Sequence, residues 1–141
     1  PESDKGYEFI EHTADIGIRA HGLTLAELFV RMAQGLTELI AEDSTLAPRQ
    51  TRPIHLTAPS AEALLLVWLQ ELLFWFSAER FLSVQYALEE VTETSLRGEV
   101  RGDTFDPARH QAGTEVKGVT RHQLRVARTD KRWEAQVIFD V

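Results

Sequence analysis

The sequence contains no cysteine. That absence excludes a disulfide scaffold, thiolate zinc sites, iron–sulfur ligation and thiol nucleophiles together. Methionine occurs once and proline five times among 141 residues. No run reads as the ~20 consecutive apolar residues of a membrane span. Residues 1–5 do not read as a signal peptide, so a cytoplasmic protein is expected. Neither Gly-x-x-x-x-Gly-Lys-Ser/Thr nor Gly-x-Gly-x-x-Gly occurs, which leaves nucleotide binding without a familiar loop. The five histidines, at positions 12, 21, 55, 110 and 122, lack the His-x-x-x-His spacing of a zinc helix. There is no Gly-x-Ser-x-Gly nucleophile elbow, and no aromatic-rich basic strand of the RNA-platform kind.

What remains is an ordinary globular composition, 43% hydrophobic and 26% charged. The length suggests one domain over residues 1–141 and suffices to bury a core without staples. The net charge of −7 is unevenly spread. Residues 1–96 hold six basic and fifteen acidic groups, whereas residues 97–132 hold nine basic and five acidic. The whole chain would not be drawn to a polyanion, although one local basic face could touch a phosphate or an acidic partner.

The periodicity predicts strands over residues 7–12 and 15–21, joined by a tight turn or bulge at Thr13-Ala14. Thr24-Leu25-Ala26-Glu27 has the form of a capping box opening a helix to about residue 42. Gly35 inside it would permit close packing, at ~1 kcal/mol relative to Ala. A short strand is expected over 54–58, near an edge because Pro53 precedes it. Ser60 can cap a second helix, whose run from Leu64 to Phe76 is apolar almost all round. Such a helix is either the buried centre of the fold or has one side that meets a partner. Alternation then predicts strands over 82–91, 95–102, 114–120, 122–128 and 133–141, with a polar loop over 103–113. The expected class is α+β, with two helices packed on a mostly antiparallel or mixed β-sheet.

Three places could carry chemistry. Asp15 starts a strand and points away from Ile16 and Ile18. It reads either as an exposed charge or as an oxygen ligand for a hard cation. His12 nearby reads as a hydrogen-bonded turn residue or a ligand. Asp140 lies on the face of the last strand opposite Trp133, Ala135, Val137 and Phe139, and the Val141 carboxylate is expected beside it. If Asp15 lies near Asp140, the carboxylates would suit Ca²⁺, Mg²⁺ or Mn²⁺; otherwise the segment is a frayed acidic end. Glu115 and Lys117 read either as a surface ion pair or, through the lysine, as a phosphate or carboxylate contact.

These residues carry a resemblance. Tyr7-Glu8-Phe9-Ile10-Glu11-His12-Thr13-Ala14-Asp15-Ile16-Gly17-Ile18, Glu115-Val116-Lys117-Gly118-Val119-Thr120 and Phe139-Asp140-Val141 together resemble the archease family, over nearly the whole chain from Tyr7 to Val141. The resemblance implies an activator of the GTP-dependent RtcB-type RNA ligase in tRNA splicing and RNA repair. Such a protein promotes guanylylation of the ligase and multiple turnover, reaches tRNA only through the ligase, and is not itself the enzyme. It implies a divalent-metal site at Asp15, Asp140 and Val141, with His12, Glu115 and Lys117 on the same functional surface. Gly118 stands where the family usually has Ala, and Arg121 where a Tyr commonly precedes the later His.

Other classes stay open at this point. A chaperone-like scaffold would bind unfolded clients without needing Asp15. A metal-dependent hydrolase would need an activated water and a general base. An RNA-binding module would use the basic stretch from Arg97 to Arg132 and show steep salt dependence.

Overall fold

The computed structural model describes residues 5–11, 15–42 and 45–141. The chain runs β1 (Tyr7–Glu11), β2 (Asp15–Gly22), α1 (Leu25–Ile40), β3 (Gln50–Thr57), α2 (Ala61–Glu79), β4 (Phe81–Val91), β5 (Ser95–Thr104), β6 (Gly118–Val119), β7 (Arg125–Arg128) and β8 (Trp133–Asp140). The predicted class and element order hold. Every strand pairing is antiparallel, and the strands divide between two sheets. The larger has the order β1-β2-β8-β6, with β7 also on β8; the smaller has the order β3-β5-β4.

Both helices touch both sheets. Helix α1 begins at Thr24, whose hydroxyl accepts from the Glu27 amide at 3.1 Å. The Glu27 carboxylate reaches back to the amide of Leu23 rather than that of the cap, one residue further than a capping box predicts. Its apolar stripe, including Leu28, Phe29, Met32 and Leu36, is buried. Gly35 does what its position suggests: a Cβ there would lie 3.1 Å from the Tyr7 ring and 3.3 Å from Ile18, so the helix sits close on the sheet. The two carbonyls that close α1, of Leu39 and Ile40, accept from the amides of Thr114 and Gly113 at 2.8 Å. This ties the segment before β6 to the helix end, where orphan carbonyls need partners.

Helix α2 is the core element. Leu64, Leu65, Trp68 and Leu69 have no exposed surface, and the Trp68 indole donates to the Phe29 carbonyl at 3.0 Å. The nineteen residues of α2 are long and apolar enough to cross a membrane by length and composition, contrary to the reading that no run comes near it. Half of that window is buried inside the fold, which accounts for the hydrophobicity. Phe74 stands out at 60% exposed. The helix ends on Arg80 in the left-handed region (φ 62°), a position glycine usually takes.

Some predicted boundaries move. Strand β3 starts at Gln50 and contains Pro53, which is tolerated because β3 is an edge strand, as expected. The strand predicted over 114–120 shrinks to Gly118–Val119: Val116 is buried between exposed Glu115 and Lys117 as in a strand, but the amides of Gly113 and Thr114 go to the end of α1 instead of a strand partner. His122 lies in a turn before β7. Asp103, expected in a polar loop, is part of β5 and is buried.

Candidate functional site

The central strand β8 decides where the candidate residues meet. It lies between β2 on one side and β6 and β7 on the other. The β2–β8 register runs from Gly22 opposite Trp133 to Asp15 opposite Asp140. Directly opposed residues on antiparallel strands project from the same face, with Cβ atoms roughly 4.5–5.5 Å apart. The two acidic residues that are far apart in sequence therefore form one cross-strand pair at one end of the larger sheet. Beyond Asp140 the row continues to Gly118 on β6. A Cβ on Gly118 would meet nothing within 4 Å, so the ground beside Asp140 is open.

Like charges directly opposite each other destabilise a ladder. Asp15 adds a second cost. Its Oδ1 is buried and has no hydrogen-bond partner, while Asp140 is exposed. A buried, unmatched carboxylate oxygen loses water without replacement, which costs about 1–3 kcal/mol or more for a charged group. These are hard oxygen donors, of the type Ca²⁺, Mg²⁺ and Mn²⁺ take, and a cation between them would remove both penalties. The donor set fits an open site rather than a closed cage. Among the described residues no group of three His, Cys, Asp or Glu side chains converges. Remaining coordination would come from main-chain oxygen such as that of Val141, from water, or from a partner.

The other predicted residues fall around this pair. The Lys117 amide donates to the Asp140 carbonyl at 2.7 Å, so its backbone abuts the carboxylate pair and its side chain is exposed. Glu115 is exposed two residues earlier. Val141 is half-buried against the core. His12 lies outside the described residues. No ion pair joins Glu115 to Lys117 among the described residues, so the surface-pair reading finds no support there.

A larger cavity lies elsewhere. A cleft of about 1020 Å³ opens between β1, α1 and β4, lined by Tyr7, Phe9, Glu11, Arg31, Glu38 and Ser83 among others. Neither Asp15 nor Asp140 lines it. Within it the Tyr7 hydroxyl donates to Glu38 at 2.5 Å, and Lys5 binds the same carboxylate at 3.0 Å. Burial pushes the Tyr7 phenol well above its ordinary range, and the Glu38 carboxylate pushes it further. Burial alone would raise Glu38, but the Tyr7 and Lys5 contacts outweigh it and hold the carboxylate low. A carboxylate so committed ties β1 to α1 and is a brace rather than a free ligand.

Sequence reasoning also passed over a second cavity, of about 720 Å³, on the outer face of the larger sheet. Arg19, His21, Arg125 and Arg132 line it. The signal was available in the alternation of β2, since Arg19 and His21 share a parity with Asp15.

The comparisons agree with this architecture. A family model described as the archease protein family (MTH1598/TM1083) matches residues 7–141. A protein archease of Methanosarcina acetivorans is 35% identical, over 100% of this chain and 99% of that protein. One from Thermococcus gammatolerans is 36% identical, over 96% and 98%. The solution structure of Methanobacterium thermoautotrophicum protein 1598 superposes with a TM-score of 0.81 at 32% identity, covering 97% of this chain and 99% of that one. A Thermotoga maritima crystal structure described as an archease and possible chaperone shares the fold, with a TM-score of 0.66 at 20% identity and 94% of each chain covered. With the match spanning both strands that carry the opposed aspartates, this chain belongs to the archease family.

Proposed function

We propose that this chain is an accessory protein of a GTP-dependent, RtcB-type RNA ligase, acting in the cytoplasm in tRNA splicing and RNA repair. It promotes guanylylation of the ligase and multiple turnover, and meets tRNA through the ligase. The observation that carries this reading is the Asp15–Asp140 pair with its unmatched buried oxygen. Asp15, Asp140 and main-chain oxygen of Val141 would hold Ca²⁺, Mg²⁺ or Mn²⁺. A bound cation would supply charge neutralisation there. The chain's own residues do the rest. The β2–β8 ladder holds the two carboxylates in register, and the Lys117 amide fixes the Asp140 carbonyl. Gly118 leaves the approach clear. An open carboxylate tip without a nucleophile suits delivery to, or docking on, a basic active-site rim.

The cation has its own readout. In chelator, Asp15→Asn should match or slightly exceed the wild-type melting temperature, because it removes the like-charge opposition. Saturating divalent cation should raise the wild-type melting temperature by several degrees; a hundredfold excess over Kd corresponds to about 2.7 kcal/mol. The variant should not respond. Equal cation responses in both proteins would remove Asp15 from the ligand set.

The functional test measures covalent ligase–guanylate formed from GTP, with and without this protein. Wild type should stimulate it, and Asp15→Asn and Asp140→Asn should each lose at least roughly tenfold of that stimulation, the equivalent of one charge-assisted contact. Full stimulation by both variants would overturn the role of the carboxylates. No stimulation by wild type would overturn the ligase reading itself.

A further inference from the structure

The outer face of the larger sheet is polarised along its strands. Asp15 and Asp140 occupy one end. Arg19 is four residues along β2, roughly 13–14 Å away at ~3.4 Å per residue. There a row crosses four strands through aligned positions: Glu8 opposite Arg19, Arg19 opposite Gln136, and Gln136 opposite Arg125. Above it lies the cavity of about 720 Å³, to which Arg132 adds a third guanidinium from beside β8.

The commitments of these groups matter. Arg19 has a glutamate directly across the ladder, yet its Nε donates to the neutral Gln136 side chain at 3.0 Å. Among the described residues its guanidinium has no carboxylate within ion-pairing distance. Glu134 is shared between Arg132 at 2.9 Å and Arg125 at 3.9 Å. One carboxylate thus orients two guanidinium groups and leaves most of their ten N–H donors unspent. Burial first, then the Arg132 and Arg31 charges, hold the half-buried His21 imidazole below its ordinary value, against the opposite pull of Glu134 and Glu27. This occurs on a protein of net charge −7.

We propose that this groove, formed by Arg19, Arg125 and Arg132 around Gln136, binds the phosphates of a single-stranded nucleic-acid backbone. Planar guanidinium forks match phosphate oxygens. The three are spread over β2, β7 and the approach to β8 rather than aimed at one point, so they suit successive phosphates better than one terminal group. The rings among the lining residues are the His21 imidazole and Tyr7, which is buried with its hydroxyl on Glu38, so no pair of exposed rings is available to sandwich a mononucleotide base. The inference stands apart from the ligase reading and needs no metal.

The test is anisotropy of a labelled RNA of about a dozen nucleotides, with no ligase present. Three phosphate contacts predict log K falling against log salt with a slope of about −2. Arg19→Gln with Arg125→Gln should weaken binding roughly tenfold or more and bring the slope to about −0.7, with the melting temperature kept. Arg101→Gln, which removes one guanidinium charge from the exposed surface of the smaller sheet, should stay within about twofold. Gln136→Glu leaves every arginine in place and should also abolish binding, because it adds to Glu8 and Glu134 a third carboxylate, directly between Arg19 and Arg125. Absence of wild-type binding at low salt, an equal loss in Arg101→Gln, or unaltered binding in Gln136→Glu would overturn the site. Displacement of the RNA by GTP or inorganic phosphate at concentrations matching its own would overturn the backbone assignment.

Discussion

Trp68→Ala should cost about 3–5 kcal/mol of folding stability, the range for emptying an aromatic from a packed core. At about 4 °C per kcal/mol for a domain of this size, the melting temperature should fall by roughly 12–20 °C. Trp68 has no exposed surface, and its contacts span three elements. Its ring lies 6.5 Å from Phe29 of α1 and 6.1 Å, edge-on, from Tyr86 of β4, and its N–H serves the Phe29 carbonyl. Removing it empties the point where both helices meet the smaller sheet. Trp68→Phe separates the contributions, since it keeps most of the ring and loses the hydrogen bond, at about 1–2 kcal/mol. Urea denaturation of both variants measures this. A loss below about 1 kcal/mol in Trp68→Ala would show that the core collapses freely there.

The second large effect is expected at Asp103. This carboxylate is 2% exposed and makes three contacts, two of which hold the segment before β3. Its Oδ2 accepts from the Ala47 amide at 2.9 Å and from Arg49 Nε at 3.3 Å, and its Oδ1 accepts from the Thr104 amide at 2.9 Å. Burial by itself would raise its pKa, but the two amides and Arg49 outweigh that and hold it below the ordinary 3.8. Asp103→Ala leaves those donors without their acceptor, and about 3 kcal/mol should be lost at neutral pH. The pH dependence has a definite sign. A carboxylate depressed on folding contributes stability that is fully present above 3.8 and disappears as pH falls through the lower folded value. Wild type should therefore lose stability more steeply than Asp103→Ala below about pH 4, and the two curves should converge in strong acid. Parallel curves through that window would mean that Asp103 is not ionised in the fold.

Element types were readable because their signals are local. Thr24 and Ser60 sit at helix starts, the stripe of α1 has a 3.6 period, and Pro53 marks an edge. What the sequence hid depends on long-range pairing. Alternation assigns a strand at 114–120, but the ties of the Gly113 and Thr114 amides to α1 leave two residues for β6. Burial of Asp103 was invisible because its partners, Ala47 and Arg49, lie over fifty positions away. The division into two sheets was equally hidden, since hairpin-like spacing does not say which strand a third will join.

The candidate site shows the same division. The parity of Asp15 and Asp140 within their own strands was legible, whereas their direct opposition rests on register between strands at the two ends of the sequence. The arginine groove was missed for the opposite reason. The basic stretch from Arg97 to Arg132 reads as an RNA-binding module, but Arg19, which completes the row, lies in the acidic part of the chain and was not joined to it.

The position of β8 inside the larger sheet bears on how the protein is made. Arg19 and Gln136, neighbours across β2 and β8, are 117 positions apart in sequence. While a ribosome is still translating the intervening stretch, the hairpin of β1 and β2 presents an unpaired flank, a template for stray strands. The acidic tip cannot assemble until β8 has emerged and threaded home, so a nascent chain stopped short of it carries only half of the tip.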